Sequence, residues 1–176
     1  MKLIILDQEG VINNYSDANT RSSVEWIPIQ GSLEAMLYLN QMGYRIVIAS
    51  NRSCYRKIID MPRFNAINDK MCKAVNQVGG RIDAIFLSPQ LDAEKYNCNR
   101  LLIAMFQEVA QRFGIGINNV FIVGDSLRYL KAAASVGAMP VMVLTGRGRK
   151  TKNTKSLPKN IKIFSDLASV VDNLLK

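Results

Sequence analysis

The chain has 176 residues, 48% of them hydrophobic and 21% charged, which is typical of a globular domain and excludes a disordered or fibrous protein. Its 23 lysines and arginines against 14 acids give a net charge of +9. No apolar run approaches the roughly 20 residues of a membrane span, and Asp7 interrupts the apolar start too early for a signal peptide. We therefore expect one domain over 1–176 and no membrane partner.

The three cysteines, Cys54, Cys72 and Cys98, are odd in number and widely spaced. This pattern favours free thiols over a disulfide framework. A cytoplasmic location is the default expectation, because the sequence predicts neither a membrane span nor a signal peptide.

Short apolar runs rich in isoleucine and valine alternate with longer periodic segments. The runs predict buried strands at 3–6, 44–49, 84–87, 120–123, 139–144 and 161–164. The periodic segments predict helices at 32–42, 63–78, 101–113, 126–136 and 165–175. This alternation predicts an α/β fold of the three-layer, Rossmann-like kind, with a central parallel sheet and helices on both faces. The irregular stretches 13–29 and 88–99 are candidate substrate loops, and neither is long enough for a separate cap domain.

Residues with start and stop preferences flank the predicted helices. Ser32 and Ser126 are early or N-capping residues. Glycines expected at the carboxyl-terminal ends of helices are Gly43, Gly79, Gly80, Gly114 and Gly137.

Polar residues follow three of the predicted strands at their carboxyl ends. Asp7 follows the first, Ser50 and Asn51 follow the second, and Asp125 follows the fourth. Because the carboxyl ends of parallel strands meet at one edge of the sheet, where open α/β sheets bind ligands, we expect these side chains to converge. Capping of turns or helices by the two aspartates is the alternative. It does not account for the hydroxyl-bearing loop between them in the chain.

Four motifs together carry a resemblance to a known family. They are Asp7-x-Glu9-Gly10-Val11-Ile12-Asn13, Ser50-Asn51-x-Ser53, Val123-Gly124-Asp125-Ser126-Leu127 and Thr145-Gly146-x-Gly148. In these motifs the chain resembles the haloacid dehalogenase (HAD) superfamily, and within it the capless sugar-phosphate phosphatases that include heptose bisphosphate 7-phosphatases and histidinol phosphatases. The resemblance implies a Mg²⁺-dependent phosphoric monoester hydrolase that acts through an aspartyl phosphate.

The resemblance also assigns roles to individual residues. Asp7 is the expected nucleophile, and Glu9 the expected general acid and base. The expected metal ligands are Asp7, Asp125 and residue Glu9, the last through its backbone carbonyl. The expected phosphate-binding residues are Ser50, Asn51, Ser53 and Arg100.

The chain departs from the family pattern at several of these positions. The family has aspartate where this chain has Glu9, whose carboxylate lies roughly 1.5 Å further from the backbone; a misplaced general acid costs ~10²–10⁴-fold in rate. Arg100 stands in place of a basic pair followed by proline, with Lys95 as a fallback. Tyr129 replaces an acidic residue found in many relatives.

The clearest departure concerns the structural zinc site that members of the family often carry. A closed zinc site needs four cysteine or histidine ligands. Ser88, Gln90 and Tyr96 stand where ligands are expected, and only Cys98 remains. We therefore expect no zinc in this chain.

Two functions remain open at this point. One is a magnesium-dependent sugar-phosphate phosphatase acting on a heptose bisphosphate. The other is a catalytically decayed HAD-fold protein that binds a phosphorylated ligand or a protein partner. The basic cluster around 147–155 lacks the interleaved aromatic residues or recognisable module of a nucleic-acid surface. We expect a small phosphorylated sugar as the partner, no nucleic acid, and a monomer.

Overall fold

A computed structural model describes residues 1–14, 26–50, 61–87 and 98–174. Its elements in chain order are β1 (Lys2–Leu6), α1 (Ser32–Gln41), β2 (Tyr44–Ser50), α2 (Met61–Gln77), β3 (Ala84–Leu87), α3 (Cys98–Arg112), β4 (Phe121–Gly124), α4 (Leu127–Ser135), β5 (Met139–Val143), α5 (Gly148–Lys152), β6 (Lys162–Phe164) and α6 (Leu167–Leu174). The strands form a six-stranded parallel sheet in the order β3-β2-β1-β4-β5-β6. The predicted α/β fold is therefore confirmed.

Each face of the sheet carries its own layer of helices, because successive side chains of a strand point to opposite faces. Ile4 and Leu6 of β1 belong to the apolar cluster formed with α1, α2 and α6. Leu3 and Ile5 belong to the cluster formed with α3 and α4. Strand β1 is thus buried on both sides, which explains its uninterrupted apolar sequence. Its carboxyl end lies at the centre of one sheet edge.

The structure differs from the expected elements at helix ends and in one added helix. The Ser32 hydroxyl donates to the carbonyl of Ile12 at 2.8 Å instead of capping α1. Ser126 is the N-cap residue of α4, but its side chain makes no capping hydrogen bond. Helix α5 was not predicted, because its five residues include no apolar side chain that would give a helical period.

The structure also bears on the expectations about the cysteines and about membrane-spanning helices. Cys72 is a free thiol, while Cys54 and the side chain of Cys98 lie outside the described residues. Across the described ranges, none of the helices combines the length and the apolar character that crossing a bilayer requires.

Candidate active site

Asp7 follows β1 directly and is tied to the neighbouring strand β4. Its backbone N–H donates to the carbonyl of Val123 at 3.0 Å, two residues before Asp125. Its carboxylate Oδ1 accepts the N–H of Gln8 at 2.8 Å. The half-buried Asp7 side chain is therefore held at the carboxyl edge of the sheet, next to the end of β4.

A tight turn follows Asp7 and places Glu9 beside the same edge. The carbonyl of Gln8 accepts the N–H groups of Ile12 at 3.0 Å and Asn13 at 3.2 Å, and the N–H of Gly10 donates to the carbonyl of Asn13 at 2.9 Å. Gly10 has a φ of 80°, a left-handed conformation that glycine adopts without strain. This turn reverses the chain, and Glu9 is half-buried within it.

Asp125 follows β4 and is the most deeply buried carboxylate of the site, with 3% of its surface exposed. Burial raises the pKa of the Asp125 carboxyl from 3.8 to about 6, and the Glu9 charge acts in the same direction. Hydrogen bonds from the backbone N–H groups of Arg147 and of Asp125 itself act the other way. The Glu9 charge therefore reaches the Asp125 carboxyl.

Three loops meet around the Asp125 carboxylate. A Cβ atom added to Gly10 or to Gly146 would overlap Oδ2 of Asp125, and at Gly146 it would also lie 2.5 Å from the Cα of Gly10. The Thr145 hydroxyl donates to the carbonyl of Gly10 at 2.5 Å. The loops after β1, β4 and β5 are thus in direct contact, and only glycine fits at these two positions.

Ser50 lies at the same sheet edge, as the last residue of β2. It is 2% exposed and stands opposite Leu87 of β3 in the strand register. Asn51 and Ser53, the two other predicted phosphate-binding residues of this loop, lie outside the described residues. The structure therefore places the hydroxyl predicted for phosphate binding at the edge occupied by Asp7 and Asp125.

Arg100 lies in the first turn of α3, where its side chain is exposed. The segment 88–97, which connects β3 to this helix, is outside the described residues. That segment includes Lys95 and the expected zinc-ligand positions Ser88, Gln90 and Tyr96.

Tyr129 is a component of the site to which sequence reasoning assigned no role. Its hydroxyl donates to the carbonyl of Ala49 at 2.9 Å, and its side chain is 1% exposed. Burial raises the pKa of the Tyr129 phenol well above its usual value, and the charges of Asp7 and Asp125 add to the effect. Both aspartates thus lie within electrostatic range of one phenol. The only sequence signal was the replacement of an acid at this position.

The oxygen donors at this edge fit a magnesium ion. No three His, Cys, Asp or Glu side chains cluster as metal ligands among the described residues, so two carboxylates, Asp7 and Asp125, require a third oxygen from the backbone. The carbonyl of Glu9 is the candidate. Carboxylates and a carbonyl are hard oxygen donors of the kind Mg²⁺ prefers, with water filling the other positions. The raised pKa of the buried Asp125 marks a negative charge that a cation would compensate.

Comparison with known proteins identifies the family. A HAD-hydrolase-like family model matches residues 102–170. The D-glycero-beta-D-manno-heptose-1,7-bisphosphate 7-phosphatase of Bordetella bronchiseptica is 44% identical over 177 aligned residues, which cover 100% of this chain and 99% of the relative. The chain belongs to the HAD superfamily. Within it, the chain belongs to the family of these heptose bisphosphate phosphatases.

Solved structures agree with this HAD assignment. A crystal structure of the B. bronchiseptica D,D-heptose 1,7-bisphosphate phosphatase complexed with magnesium and phosphate has a TM-score of 0.91, at 43% identity, and covers 99% of this chain and 98% of its own. The enzyme from Burkholderia thailandensis has a TM-score of 0.80 at 38% identity, covering 100% of this chain and 99% of its own. The HAD fold of this chain thus extends over the full length of both relatives.

Proposed function

We propose that this chain is a magnesium-dependent sugar-phosphate phosphatase that removes the 7-phosphate from a heptose 1,7-bisphosphate. The observation that carries the proposal is the contact of the Asp125 carboxylate with Gly10 and Gly146, which brings the Asp7 loop and the Asp125 loop together. The full-length similarity to phosphatases with this activity supports the substrate class. We take 1–176 as the catalytic domain and the monomer as the working unit.

The proposed ligands of the metal are the carboxylates of Asp7 and Asp125 and the carbonyl of Glu9. When bound, Mg²⁺ offsets the repulsion between these carboxylates and the phosphate. The transferring phosphoryl oxygens are bound by the Ser50 hydroxyl and by the remaining predicted residues of this set, Asn51, Ser53 and Arg100. Donors fixed in advance around the phosphoryl group stabilise the charge that develops in the transition state.

In the first half of the reaction a carboxylate oxygen of Asp7 attacks phosphorus. A bond forms between that oxygen and phosphorus while the bond from phosphorus to the sugar oxygen breaks. Glu9, in its protonated form, donates its proton to the departing sugar oxygen. The products are the free sugar hydroxyl and an aspartyl phosphate on Asp7.

In the second half water attacks the phosphorus of the aspartyl phosphate. Glu9, now a carboxylate, accepts a proton from this water, and the bond between phosphorus and the Asp7 oxygen breaks. Inorganic phosphate leaves, and both Asp7 and the protonated Glu9 return to their starting states. The same side chain therefore acts first as acid and then as base.

A second candidate function follows from the chemistry of position 9. Glu9 extends one bond further than the aspartate of the family pattern, and catalytic groups tolerate displacements of about 0.5 Å. A chain that binds a phosphorylated ligand without turning it over is the corresponding alternative.

Phosphate release from heptose 1,7-bisphosphate and from an aryl phosphate separates the two functions. We expect the native chain to turn over in Mg²⁺, to stop when Mg²⁺ is chelated, and to lose at least about 10³-fold of its rate in the Asp7→Asn variant. A native chain no faster than Asp7→Asn contradicts the proposal. Activity that is restored only in Glu9→Asp supports the binding protein instead.

A further inference from the structure

Tyr129 lies in the first turn of α4, and its ring packs closely against neighbouring residues. The ring of Phe106, on α3, meets the Tyr129 ring edge to face, with centroids 5.0 Å apart and an interplanar angle of 84°. The ring also lies close to Gly124, where an added Cβ would be 2.5 Å from the Tyr129 Cδ1. The ring therefore packs directly on the backbone at the end of β4, immediately before Asp125.

The hydroxyl of this ring reaches a different strand. It donates to the carbonyl of Ala49 in β2 at 2.9 Å. Strand β1 lies between β2 and β4 in the sheet, and its pairing with β2 ends at Leu6 and Ile48. Tyr129 thus links β4 to β2 across the end of β1, one residue beyond the last β1–β2 pair.

This link depends on tyrosine at position 129. A phenol donates a hydrogen bond, whereas an ionised carboxylate only accepts, so an ionised acid at this position cannot donate to the Ala49 carbonyl. An acid would also add a further negative charge near Asp7 and Asp125. Where an acid would contribute a negative charge, Tyr129 contributes a hydrogen bond that connects two loops of the site.

We propose that Tyr129 is a positioning residue that fixes the phosphate-binding end of β2, at Ala49 and Ser50, relative to the loops of Asp7 and Asp125. The inference rests on the proposed phosphate-binding role of Ser50. Tyr129 does not touch the phosphate. It acts through the Ala49 carbonyl, which belongs to the peptide group that leads directly into Ser50.

Calorimetric titration with inorganic phosphate at saturating Mg²⁺ tests the inference without requiring turnover. Tyr129→Phe keeps the ring and removes the hydroxyl, and Tyr129→Leu provides a second variant that lacks a donor. We expect both to raise the Kd for phosphate about three- to tenfold, the range expected for loss of one intramolecular hydrogen bond. KM rises with it, and the Mg²⁺ concentration at half-saturation stays unchanged.

Val109→Ala is the matched control, because Val109 is a fully buried apolar residue of the same α3/α4 layer. It should lower the melting temperature and leave the Kd for phosphate at the native value. The inference is overturned if Tyr129→Phe binds phosphate as the native chain does, or if Val109→Ala weakens phosphate binding equally. A shift in the Mg²⁺ requirement alone also overturns it.

The same titration keeps this inference separate from the proposed function. A native chain that binds phosphate but hydrolyses no sugar phosphate contradicts the proposed function. The comparison of the Kd for phosphate between the native chain and the Tyr129 variants still tests the inference in that case. A native chain that binds no phosphate overturns the inference, since Ser50 then holds no phosphoryl group.

Discussion

The backbone N–H of Arg147 donates a 2.7 Å hydrogen bond to Oδ2 of Asp125. The loop after β5 therefore orients the buried carboxylate through its main chain, whatever the side chain at position 147. Because the donor is fixed by the fold, one Asp125 oxygen is engaged before any ligand binds.

Arg147 is also the first residue of a basic segment, residues 147–162, which contains no Asp or Glu. Its cations are Arg147, Arg149, Lys150, Lys152, Lys155, Lys159 and Lys162. The three acids of the site repel a substrate that carries two phosphate groups. The positive charge of the basic segment should offset this repulsion and attract the substrate. We expect Lys150→Glu combined with Lys152→Glu to lower kcat/KM for the bisphosphate about tenfold at low salt.

The matched control is Lys73→Glu, on the second half of α2, away from the carboxyl edge of the sheet. It should change kcat/KM little. In about 0.5 M salt the effect of the double variant should shrink toward zero, because surface charges are then screened. A loss of kcat/KM that is insensitive to salt would rule out electrostatic attraction.

Glu9→Gln removes the proton that the proposed mechanism moves twice. We expect kcat for the heptose bisphosphate to fall by ~10²–10⁴-fold. With nitrophenyl phosphate, whose leaving group departs without a proton, the first step should survive while hydrolysis of the aspartyl phosphate slows. Rapid mixing should then show a burst of nitrophenol of about one equivalent per chain, as expected for covalent catalysis. Loss of the burst in this variant would place Glu9 outside proton transfer.

Gly10→Ala should disrupt the site and not only strain the backbone. Gly10 and Gly137 have the same φ of 80°, but an added Cβ overlaps Asp125 at Gly10 and meets nothing within 4 Å at Gly137. Both alanine variants pay about 1–2 kcal/mol for the left-handed conformation. Only Gly10→Ala should raise the Mg²⁺ concentration needed for half-maximal activity. Equal Mg²⁺ dependence in the two variants would contradict the packing around Asp125.

The metal-free chain should lose stability as pH rises through the range where Asp125 ionises. Burial raises the carboxyl pKa to about 6 in the folded chain, against 3.8 for an ordinary exposed aspartate, so the folded state holds the proton more tightly than the unfolded state. The free energy of unfolding should therefore fall between about pH 4 and pH 6, by up to about 3 kcal/mol.

Thermal denaturation in chelator, compared with Asp125→Asn, isolates this contribution. The asparagine variant lacks the titrating group and should show a flatter profile over the same interval. Mg²⁺ at neutral pH should restore stability to the native chain and not to the variant. Parallel pH profiles for the two proteins would refute the assignment.

Gln8 should be a site where stability can be gained. Its side chain is fully buried, and within the described part of the chain neither Nε2 nor Oε1 has a hydrogen-bond partner. A buried unsatisfied polar group costs about 1–3 kcal/mol. We expect Gln8→Met to raise the melting temperature by roughly 2–12 °C, using about 2–4 °C per kcal/mol for a chain of this size. A lower melting temperature would show that the amide has a stabilising role.

The layers of the fold were predictable because buried parallel strands carry uninterrupted apolar runs. The run at 3–6 became β1, and the glycine expected after the first helix, Gly43, has a φ of 84°. Convergence of the Asp7, Ser50 and Asp125 segments on one edge followed from the parallel arrangement alone. These features depend on local pattern and on general rules of strand direction.

Contacts between distant segments were not predictable in this way. Tyr129 and Ala49 are 80 residues apart in the chain, and neither residue type indicates the other as a partner. The fit of Gly10 and Gly146 against Asp125 likewise depends on three loops arriving together. A motif shows that glycine is present, but only the assembled loops show which atom excludes a side chain.

The strand β6 has a consequence for how copies of this chain meet one another. It is the outermost strand on its side of the sheet, has three residues, and begins with the exposed Lys162. Aggregation by edge-to-edge strand addition needs a long, flat and uncharged border. A short edge strand that begins with a lysine offers few backbone groups for a second sheet to pair with, so the geometry of β6 disfavours edge-to-edge association along that side.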